Sequence, residues 1–137
     1  MNKILIVDDD KFMRMLYDFE LSEAGYKVST IADGSGIMDA IEHERPDLVV
    51  LDVKLGEYNG LDLLQEIRNK IYNLPVILCS AYPIYKYDSR TIAADYYVVK
   101  NANLEELKLK IKMALEGGGN FNARQGTDGF DRISAAL

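Results

Sequence analysis

The sequence has little of what builds disulfide-rich or membrane-spanning proteins. Its single cysteine, Cys79, excludes an internal disulfide framework and fits a reducing, cytoplasmic compartment. No stretch approaches the ~20 consecutive apolar residues of a membrane-spanning helix. The N-terminus begins directly with a strand pattern, so we expect no signal peptide. The sequence therefore predicts a cytoplasmic protein in which Cys79 is a buried core thiol.

The sequence also has fewer positively than negatively charged side chains. The chain has 16 lysines and arginines against 22 aspartates and glutamates, which gives a net charge of −6 and a pI near 4.8. Such a charge argues against binding to nucleic-acid phosphates or to an anionic membrane surface. A protein partner or a cation is the better match, and we expect a monomer or a weak dimer.

What the sequence does contain is an alternation of apolar runs and helical periodicities. The runs predict strands at residues 4–7, 26–31, 47–52, 76–80 and 95–99. The first amphipathic helix has its predicted apolar stripe at Phe12, Met15, Leu16 and Phe19. Residues 81–93 predict only a short or irregular helix. The alternation predicts an α/β fold, with a doubly wound, five-stranded parallel sheet and helices on both faces.

The composition changes near the C-terminus. Residues 117–137 hold half of the 10 glycines, so we interpret 1–116 as one domain and 117–137 as a flexible tail or linker. A helix that presents Phe130, Ile133 and Leu137 is the alternative. So few apolar residues rarely offset the entropy lost on ordering, and this favours the flexible tail.

Charged and hydroxyl side chains follow four of the predicted strands at their carboxyl ends. They are Asp8, Asp9 and Asp10 after the first strand, then Asp52, Ser80 and Lys100 after later strands. Ligands of open α/β sheets bind at this edge. Carboxylates suit Mg²⁺ or Mn²⁺, an aspartate can accept a phosphoryl group, and a lysine can neutralise its charge. The set predicts a phosphoryl-transfer site.

Each of these residues has a simpler interpretation when it is taken alone. Asp8 and Asp9 could cap the following helix, and Ser80 and Lys100 could be structural. A phosphatase with Asp8 as its nucleophile would need a later threonine-type residue and an acidic pair, which are not evident. A flavodoxin-like carrier would bind a flavin phosphate that three aspartates repel. The combination of residues favours phosphoryl acceptance over these alternatives.

Four motifs in order carry a family resemblance over residues 3–116: "ILIVDDD", "DLVVLDVKLGEYNGLDLL", "PVILCSAY" and "ADYYVVK". They resemble the response-regulator receiver domain of two-component signalling, of the chemotaxis or single-domain type. The resemblance implies a flavodoxin-like sheet with strand order 2-1-3-4-5 and Asp52 as the phosphoacceptor. It also implies that Asp9, Asp52 and the backbone carbonyl of Lys54 hold the cation, with Asp8 completing the acidic pair.

The later motifs carry the remaining implied roles and three departures from the family. Ser80 would bond the phosphoryl group, Lys100 would pair with it, and Tyr97 would be the aromatic switch that turns inward. Gly56 stands where the family usually has proline, which predicts a looser loop. Asn101 replaces the proline that usually follows Lys100, which predicts a trans bond. The segment between Ser80 and Lys100 is shorter than usual, which predicts a cramped fourth helix.

Two side chains at the rim of the site are predicted to set the lifetime of the phosphorylated state. Lys54 lies two residues after Asp52, and Tyr82 lies two residues after Ser80. A long cationic side chain can pair with a phosphoryl oxygen and occupy the route of a hydrolytic water, while a tyrosine ring adds bulk. We therefore expect a comparatively long-lived aspartyl phosphate.

These features together predict a cytoplasmic signalling switch. A histidine kinase or a histidine phosphotransfer protein would donate a phosphoryl group to Asp52 in a Mg²⁺-dependent reaction. The surface of the fourth helix, fifth strand and fifth helix would then change. The chain would catalyse its own phosphorylation and dephosphorylation without being a turnover enzyme. The alternative is an unphosphorylated receiver-like module for protein binding or dimerisation, and the sequence leaves the downstream protein open.

Overall fold

The computed structural model describes residues 1–117, and seven strands lie in that part of the chain. They are β1 (Lys3–Val7), β2 (Lys27–Ile31), β3 (Leu48–Leu51), β4 (Lys54–Leu55), β5 (Tyr58–Asn59), β6 (Val76–Ser80) and β7 (Tyr96–Val99). Five of them form a parallel sheet in the order β2-β1-β3-β6-β7, while β4 and β5 form a separate antiparallel pair. The predicted order 2-1-3-4-5 is confirmed when the strands of the main sheet are counted along the chain.

Four α-helices and three 3₁₀ segments complete the described part of the chain. The helices are α1 (Lys11–Glu23), α2 (Ile37–Glu44), α3 (Gly60–Lys70) and α4 (Glu105–Leu115). The 3₁₀ segments are Gly34–Gly36, Pro83–Tyr87 and Ser89–Ala93. Within residues 1–117, none of the helices has the length and apolar character needed to cross a membrane.

The two faces of the main sheet are covered by different helices. Along β1, Ile4 and Ile6 pack in one buried cluster with side chains of α1 and α4. Leu5 and Val7 pack in a second cluster with α2 and α3. Because successive side chains of a strand point to opposite faces, this alternation requires helices on both sides. The predicted doubly wound architecture is therefore confirmed.

The predicted apolar face of α1 is mostly wrong. Phe12, Met15 and Phe19 are 81%, 59% and 62% exposed, and only Leu16 of the predicted stripe packs partly against the core. The buried face of the helix instead contains Tyr17, which is 1% exposed. Phe12, Met15 and Phe19 thus form an apolar stripe that faces away from the sheet, called the α1 outer stripe below.

The loop after Asp52 is a short β-hairpin and not the looser loop that Gly56 predicted. Strands β4 and β5 pair on either side of a two-residue loop, Gly56 and Glu57. Gly56 has a φ of +62° and Glu57 has no positive φ, which is the pattern of a type II′ turn. Proline fixes φ near −65° and could not occupy this position. Glycine in place of the family's usual proline is therefore what permits the hairpin.

Between β6 and β7 the chain crosses over in two 3₁₀ segments, where a cramped fourth helix was predicted. The backbone N–H groups of Tyr85, Asp88, Thr91 and Ala94 each donate to the carbonyl three residues earlier, at 3.4, 3.0, 3.0 and 2.9 Å. Such hydrogen bonds have poorer geometry than those of an α-helix. Residues 81–95, called the crossover segment below, thus connect the two strands by 3₁₀ turns in place of an α-helix.

The predicted domain boundary coincides with the end of the described part of the chain. Helix α4 ends at Leu115, and Gly117 follows with a φ of +81°. Residues 118–137, which include Phe130 and Ile133, lie outside the described residues. The tail or linker thus stays a prediction.

Candidate functional site

The register of the main sheet brings the predicted site residues to one edge. Val7 of β1 is level with Leu51 of β3, so Asp8 and Asp52 leave the sheet side by side. Ser80 of β6 is level with Val99 of β7, which places the following lysine at the same edge. Asp8, Asp52, Ser80 and Lys100 therefore lie at one edge of the sheet, as the positions of the strand ends predicted.

The three consecutive aspartates after β1 have three different environments. Asp8 is 2% exposed, whereas Asp9 and Asp10 are exposed. The Asp10 carboxylate accepts from the N–H groups of Phe12 and Met13 at 2.9 and 3.3 Å and caps α1. The Asp10 N–H in turn donates to Asp8 Oδ1 at 2.8 Å. The helix-capping interpretation thus applies to Asp10, and Asp8 and Asp9 remain available for the site.

Lys100 joins the two buried carboxylates of the site. Its Nζ lies 2.9 Å from Asp8 Oδ2 and 2.8 Å from Asp52 Oδ2. Burial alone would lower the pKa of Lys100, but its hydrogen bonds to Asp52 and Asp8 outweigh burial and raise it. Burial raises the pKa of Asp52, against the opposing effects of the Lys100 hydrogen bond and charge. The ammonium group therefore offsets the repulsion between two carboxylates held in a low-dielectric position.

The carboxylates present are suited to a hard divalent cation. Oxygen atoms of Asp8, Asp9 and Asp52 lie within 4.8 Å of one another. Mg²⁺ is commonly bound by one or two carboxylates and keeps several waters, so exposed Asp9 beside buried Asp52 is an appropriate donor set. The excess of negative charge, three carboxylates to one lysine, also favours a cation. The backbone carbonyl of Lys54 as a further ligand stays a prediction.

Gly60 positions the loop that follows Asp52 and was not among the predicted site residues. A Cβ atom at Gly60 would overlap the carbonyl oxygen of Asp52. The Gly60 N–H donates to the carbonyl of Val53 at 2.6 Å, and the Asn59 side chain caps α3 through the N–H of Leu61 at 2.8 Å. Glycine is needed here because the start of α3 touches the backbone of Asp52. A glycine directly after a capping asparagine was the available sequence signal.

Ser80 and Tyr97 are connected through the backbone of one residue. Ser80 is fully buried, and its Oγ accepts from the N–H of Tyr82 at 3.1 Å. The hydroxyl of Tyr97 donates to the carbonyl of Tyr82 at 2.7 Å, while its ring packs against the α2 and α3 side of the core. The two predicted switch residues are therefore both hydrogen-bonded to the backbone of Tyr82. The sequence analysis predicted only that the Tyr82 ring adds bulk at the rim of the site.

The side chains of Lys54 and Tyr82 lie together at the rim of the site. Lys54 Nζ is 5.1 Å from the centroid of the Tyr82 ring, a cation–π contact. On its other side, the Tyr82 ring meets Tyr85 edge-on, with centroids 6.1 Å apart. The two residues predicted to control hydrolysis are thus in contact with each other and not merely on opposite sides of an entrance.

Two further observations concern the backbone of the site. Residues 1–117 contain no cis peptide bond, so the bond between Lys100 and Asn101 is trans, as predicted. The Arg14 guanidinium donates to the backbone carbonyl of Asp8 at 2.9 Å and fixes the end of β1 from α1. Arg14 was missed because a single arginine in a helix carries no distinctive pattern.

Comparison with known proteins gives one family. Residues 4–112 match the model of the response regulator receiver domain. The probable transcriptional regulatory protein TcrX of Mycobacterium tuberculosis is 34% identical over 118 residues, which make up 85% of this chain and 50% of TcrX. The chain thus spans about half the length of this curated relative.

Two solved structures of one response regulator are similar to the chain. TrrA from Thermotoga maritima, in complex with Mg²⁺-BeF, has a TM-score of 0.80 and 39% identity over 83% of this chain and 99% of its own. TrrA in complex with the histidine kinase ThkA has a TM-score of 0.79 and 40% identity, over 84% of this chain and 99% of the matched chain.

Proposed function

Because the chain belongs to the response regulator receiver domain family, we propose that it is a signalling switch phosphorylated on Asp52 by a histidine kinase or a histidine phosphotransfer protein. The observation that carries the proposal is the ion-paired cluster of Asp8, Asp52 and Lys100 beside Asp9. A nucleophilic carboxylate held against one lysine suits attack on an incoming phosphoryl group. We expect the exchange to take place in the cytoplasm.

The proposed transfer step follows from the groups at the sheet edge. An oxygen of Asp52 attacks the phosphorus, the P–N bond of the phosphohistidine breaks, and the donor imidazole nitrogen keeps the electron pair. Lys100 neutralises charge on the phosphoryl oxygens. Ser80 Oγ accepts from the Tyr82 N–H, and its O–H, which lies beside the Tyr97 hydroxyl, would turn to donate to one of the phosphoryl oxygens. A Mg²⁺ or Mn²⁺ ion held by Asp9, Asp52 and the Lys54 carbonyl would supply further neutralising charge.

The α1 outer stripe is the surface on which we propose that the donor docks. Phe12, Met15 and Phe19 are large, exposed and apolar, and they lie on the helix that begins directly after Asp9 and Asp10. An exposed apolar stripe of this kind commonly marks an interaction site. TrrA, which is similar to this chain, has been solved with a histidine kinase. Phe12→Ser and Phe19→Ser should weaken transfer from a protein donor and leave transfer from a small donor unchanged.

The proposed response involves Ser80 and Tyr97. A phosphoryl group adds about −1.5 to −2 charge at Asp52 and attracts the Ser80 hydroxyl. Tyr97 is linked to Ser80 through the backbone of Tyr82, so the two side chains are placed to respond together. The crossover segment, β7 and α4 form the surface that we propose changes and that the unknown downstream protein reads.

Lys54 and Tyr82 are proposed to slow loss of the phosphoryl group. In hydrolysis, water attacks the phosphorus, the bond to the Asp52 oxygen breaks, and the products are a carboxylate and inorganic phosphate. If the two side chains raise this barrier by ~1.4 kcal/mol, decay slows about tenfold. The decay of phosphorylated protein after donor removal should be faster in Lys54→Ala and Tyr82→Ala than in wild type. Equal rates in all three would remove this role.

The deciding experiment for the function is phosphorylation in vitro. The full chain is incubated with a small acyl phosphate and Mg²⁺, and intact mass is measured. Wild type should gain one phosphoryl group, as should the matched control Asp39→Asn on the exposed side of α2. Asp52→Asn should gain none. A wild-type protein that gains no mass under these conditions would favour the unphosphorylated binding or dimerisation module.

A further inference from the structure

Tyr82 contacts three predicted site residues through three different groups. Its N–H donates to Ser80 Oγ, its carbonyl accepts from the Tyr97 hydroxyl, and its ring lies under the Lys54 ammonium. The ring is 49% exposed, and the residue stands at the start of the crossover segment. Its position therefore depends on the site on one side and on weak 3₁₀ turns on the other.

We propose that Tyr82 is a positioning residue that passes phosphorylation of Asp52 to Tyr97, because its ring and the phosphoryl group compete for the ammonium of Lys54. The proposal rests on the proposed function and adds to it the route of the signal. In the unphosphorylated protein the Tyr82 ring holds Lys54. In the phosphorylated protein the phosphoryl group holds Lys54, and the Tyr82 ring is released.

The charges of the site favour movement of the Lys54 ammonium from the Tyr82 ring to the phosphoryl group. Lys100 pairs with both Asp8 and Asp52, and within residues 1–117 Lys54 forms no ion pair and contacts the Tyr82 ring. An exposed cation–π contact is weaker than a charge-assisted hydrogen bond to a phosphoryl oxygen. Lys54 follows Asp52 by two residues, within reach of a group carried on that carboxylate. Phosphorylation should therefore move the ammonium off the ring.

Release of the Tyr82 ring can affect Ser80 and Tyr97 because both are hydrogen-bonded to the Tyr82 backbone. Tyr82 is bonded at both its N–H and its carbonyl, so a shift of the residue alters the hydrogen bonds to Ser80 and Tyr97 together. The 3₁₀ turns that follow offer less resistance to such a shift than an α-helix would. By reciprocity, a change at Tyr97 must also alter the contact between Lys54 and Tyr82. If Tyr82 only added bulk, a change at Tyr97 would leave the contact between Lys54 and Tyr82 unaltered.

The absence of tryptophan from the sequence allows a direct test. In the full-length Tyr82→Trp variant, the indole at position 82 is the sole tryptophan and can hold the Lys54 ammonium at least as well as tyrosine. Emission and intact mass are recorded on the same samples before and after treatment with a small acyl phosphate and Mg²⁺. Tyr87→Trp, at a position 85% exposed and outside the contact, is the matched control.

The expected result is a change of emission at position 82, and not at position 87, that follows the gain of mass. Adding Lys54→Ala should give the released emission before phosphorylation and reduce the change of emission per phosphorylated molecule, taken from the mass spectrum of the same sample, at least fivefold. Adding Lys54→Arg should preserve the change, since a guanidinium also binds both an aromatic face and a phosphoryl group. Adding Tyr97→Phe should move the unphosphorylated emission part of the way to the phosphorylated value.

Three outcomes would overturn the relay. They are full phosphorylation with no change of emission at position 82, an equal change with and without Lys54, and an unphosphorylated emission that Tyr97→Phe leaves untouched. A sample that gains no mass would instead overturn the proposed function itself, and the relay with it. The mass measurement therefore distinguishes failure of the relay from failure of the phosphorylation on which it rests.

Discussion

The two sides of the site are built in different ways. On the acidic side, Asp8 and Asp52 are buried and joined by Lys100 through ion pairs of 2.9 and 2.8 Å. On the switch side, Tyr82 is half exposed and Tyr97 is held by one hydrogen bond to its carbonyl. The first side joins buried charged groups by ion pairs, while the second links Ser80 of β6 and Tyr97 of β7 through half-exposed Tyr82 at the start of the 3₁₀ turns. The proposed chemistry and the proposed response thus fall on two differently built parts of one sheet edge.

This difference predicts unequal losses of stability when each side is changed. A buried charge that loses its partner is costly, because it keeps its desolvation penalty and loses its compensation. A half-exposed hydroxyl that is removed leaves a carbonyl that water can reach. Removing the cation that pairs the buried carboxylates should therefore cost more free energy of unfolding than removing a hydroxyl on the switch side, and four variants are given in order of expected effect.

Lys100→Met should have the largest effect on the free energy of unfolding. It leaves the buried carboxylates of Asp8 and Asp52 without a cation, and we expect a loss of about 3 kcal/mol in urea unfolding. Mg²⁺ should restore part of the loss. The exposed Lys112→Met on α4 is the control and should unfold like wild type. An unchanged midpoint for Lys100→Met would mean that the acidic side is not held by this lysine.

Gly60→Ala should follow, with a loss of about 1–3 kcal/mol. The added Cβ would overlap the carbonyl oxygen of Asp52, so the loop after Asp52 must shift. Phosphorylation by a small donor should fall along with stability. Gly36→Ala is the matched control, since a Cβ at Gly36 meets nothing within 4 Å. Equal urea midpoints for the two variants would contradict the close approach of Gly60 to the carbonyl oxygen of Asp52.

Tyr97→Phe should reduce the free energy of unfolding by about 1 kcal/mol, the typical value of one hydrogen bond. The lost bond is that from the Tyr97 hydroxyl to the Tyr82 carbonyl. The extent of phosphorylation should stay that of wild type, as should the stability of the control Tyr87→Phe. A loss as large as that of Lys100→Met would erase the contrast between the two sides.

Asp9→Ala should have the smallest effect on stability and the opposite sign. Removing one of three neighbouring carboxylates relieves repulsion, so the protein should be as stable as wild type or slightly more stable in the absence of metal. Mg²⁺ should no longer stabilise it, and phosphorylation should be lost. Asp39→Ala serves as the control. A variant that still responds to Mg²⁺ as wild type does would show that Asp9 is not a ligand.

The acidic side was largely predictable from the sequence because strand ends follow simple rules. Apolar runs place Asp8, Asp52, Ser80 and Lys100 after strands, and parallel strands end at one edge. The strand order entered through the family resemblance and was confirmed. The hairpin at Gly56 was not predictable in this way, since it depends on a backbone angle and not on an apolar pattern.

The α1 outer stripe shows why periodicity alone was insufficient. Helix α1 has apolar residues at helical spacing on two faces, one with Phe12 and Phe19 and the other with Tyr17 and Leu21. The more apolar face was predicted to be buried, yet Tyr17 is inside, with its hydroxyl 3.3 Å from Cys79 Sγ. Tertiary contact decides between two such faces, and an exposed apolar face resembles a core stripe in sequence.

The ladder of hydrogen bonds in the crossover segment has a consequence for how its length can change. Each turn starts at the residue where the previous turn ends, from Tyr82 through Asp88 to Ala94. Insertion or deletion of three residues would add or remove one whole turn, about 6 Å of 3₁₀ rise, and leave the others in phase. One or two residues would displace every later donor. Homologous crossovers built this way should therefore differ in length by threes, while β6 and β7 keep their register.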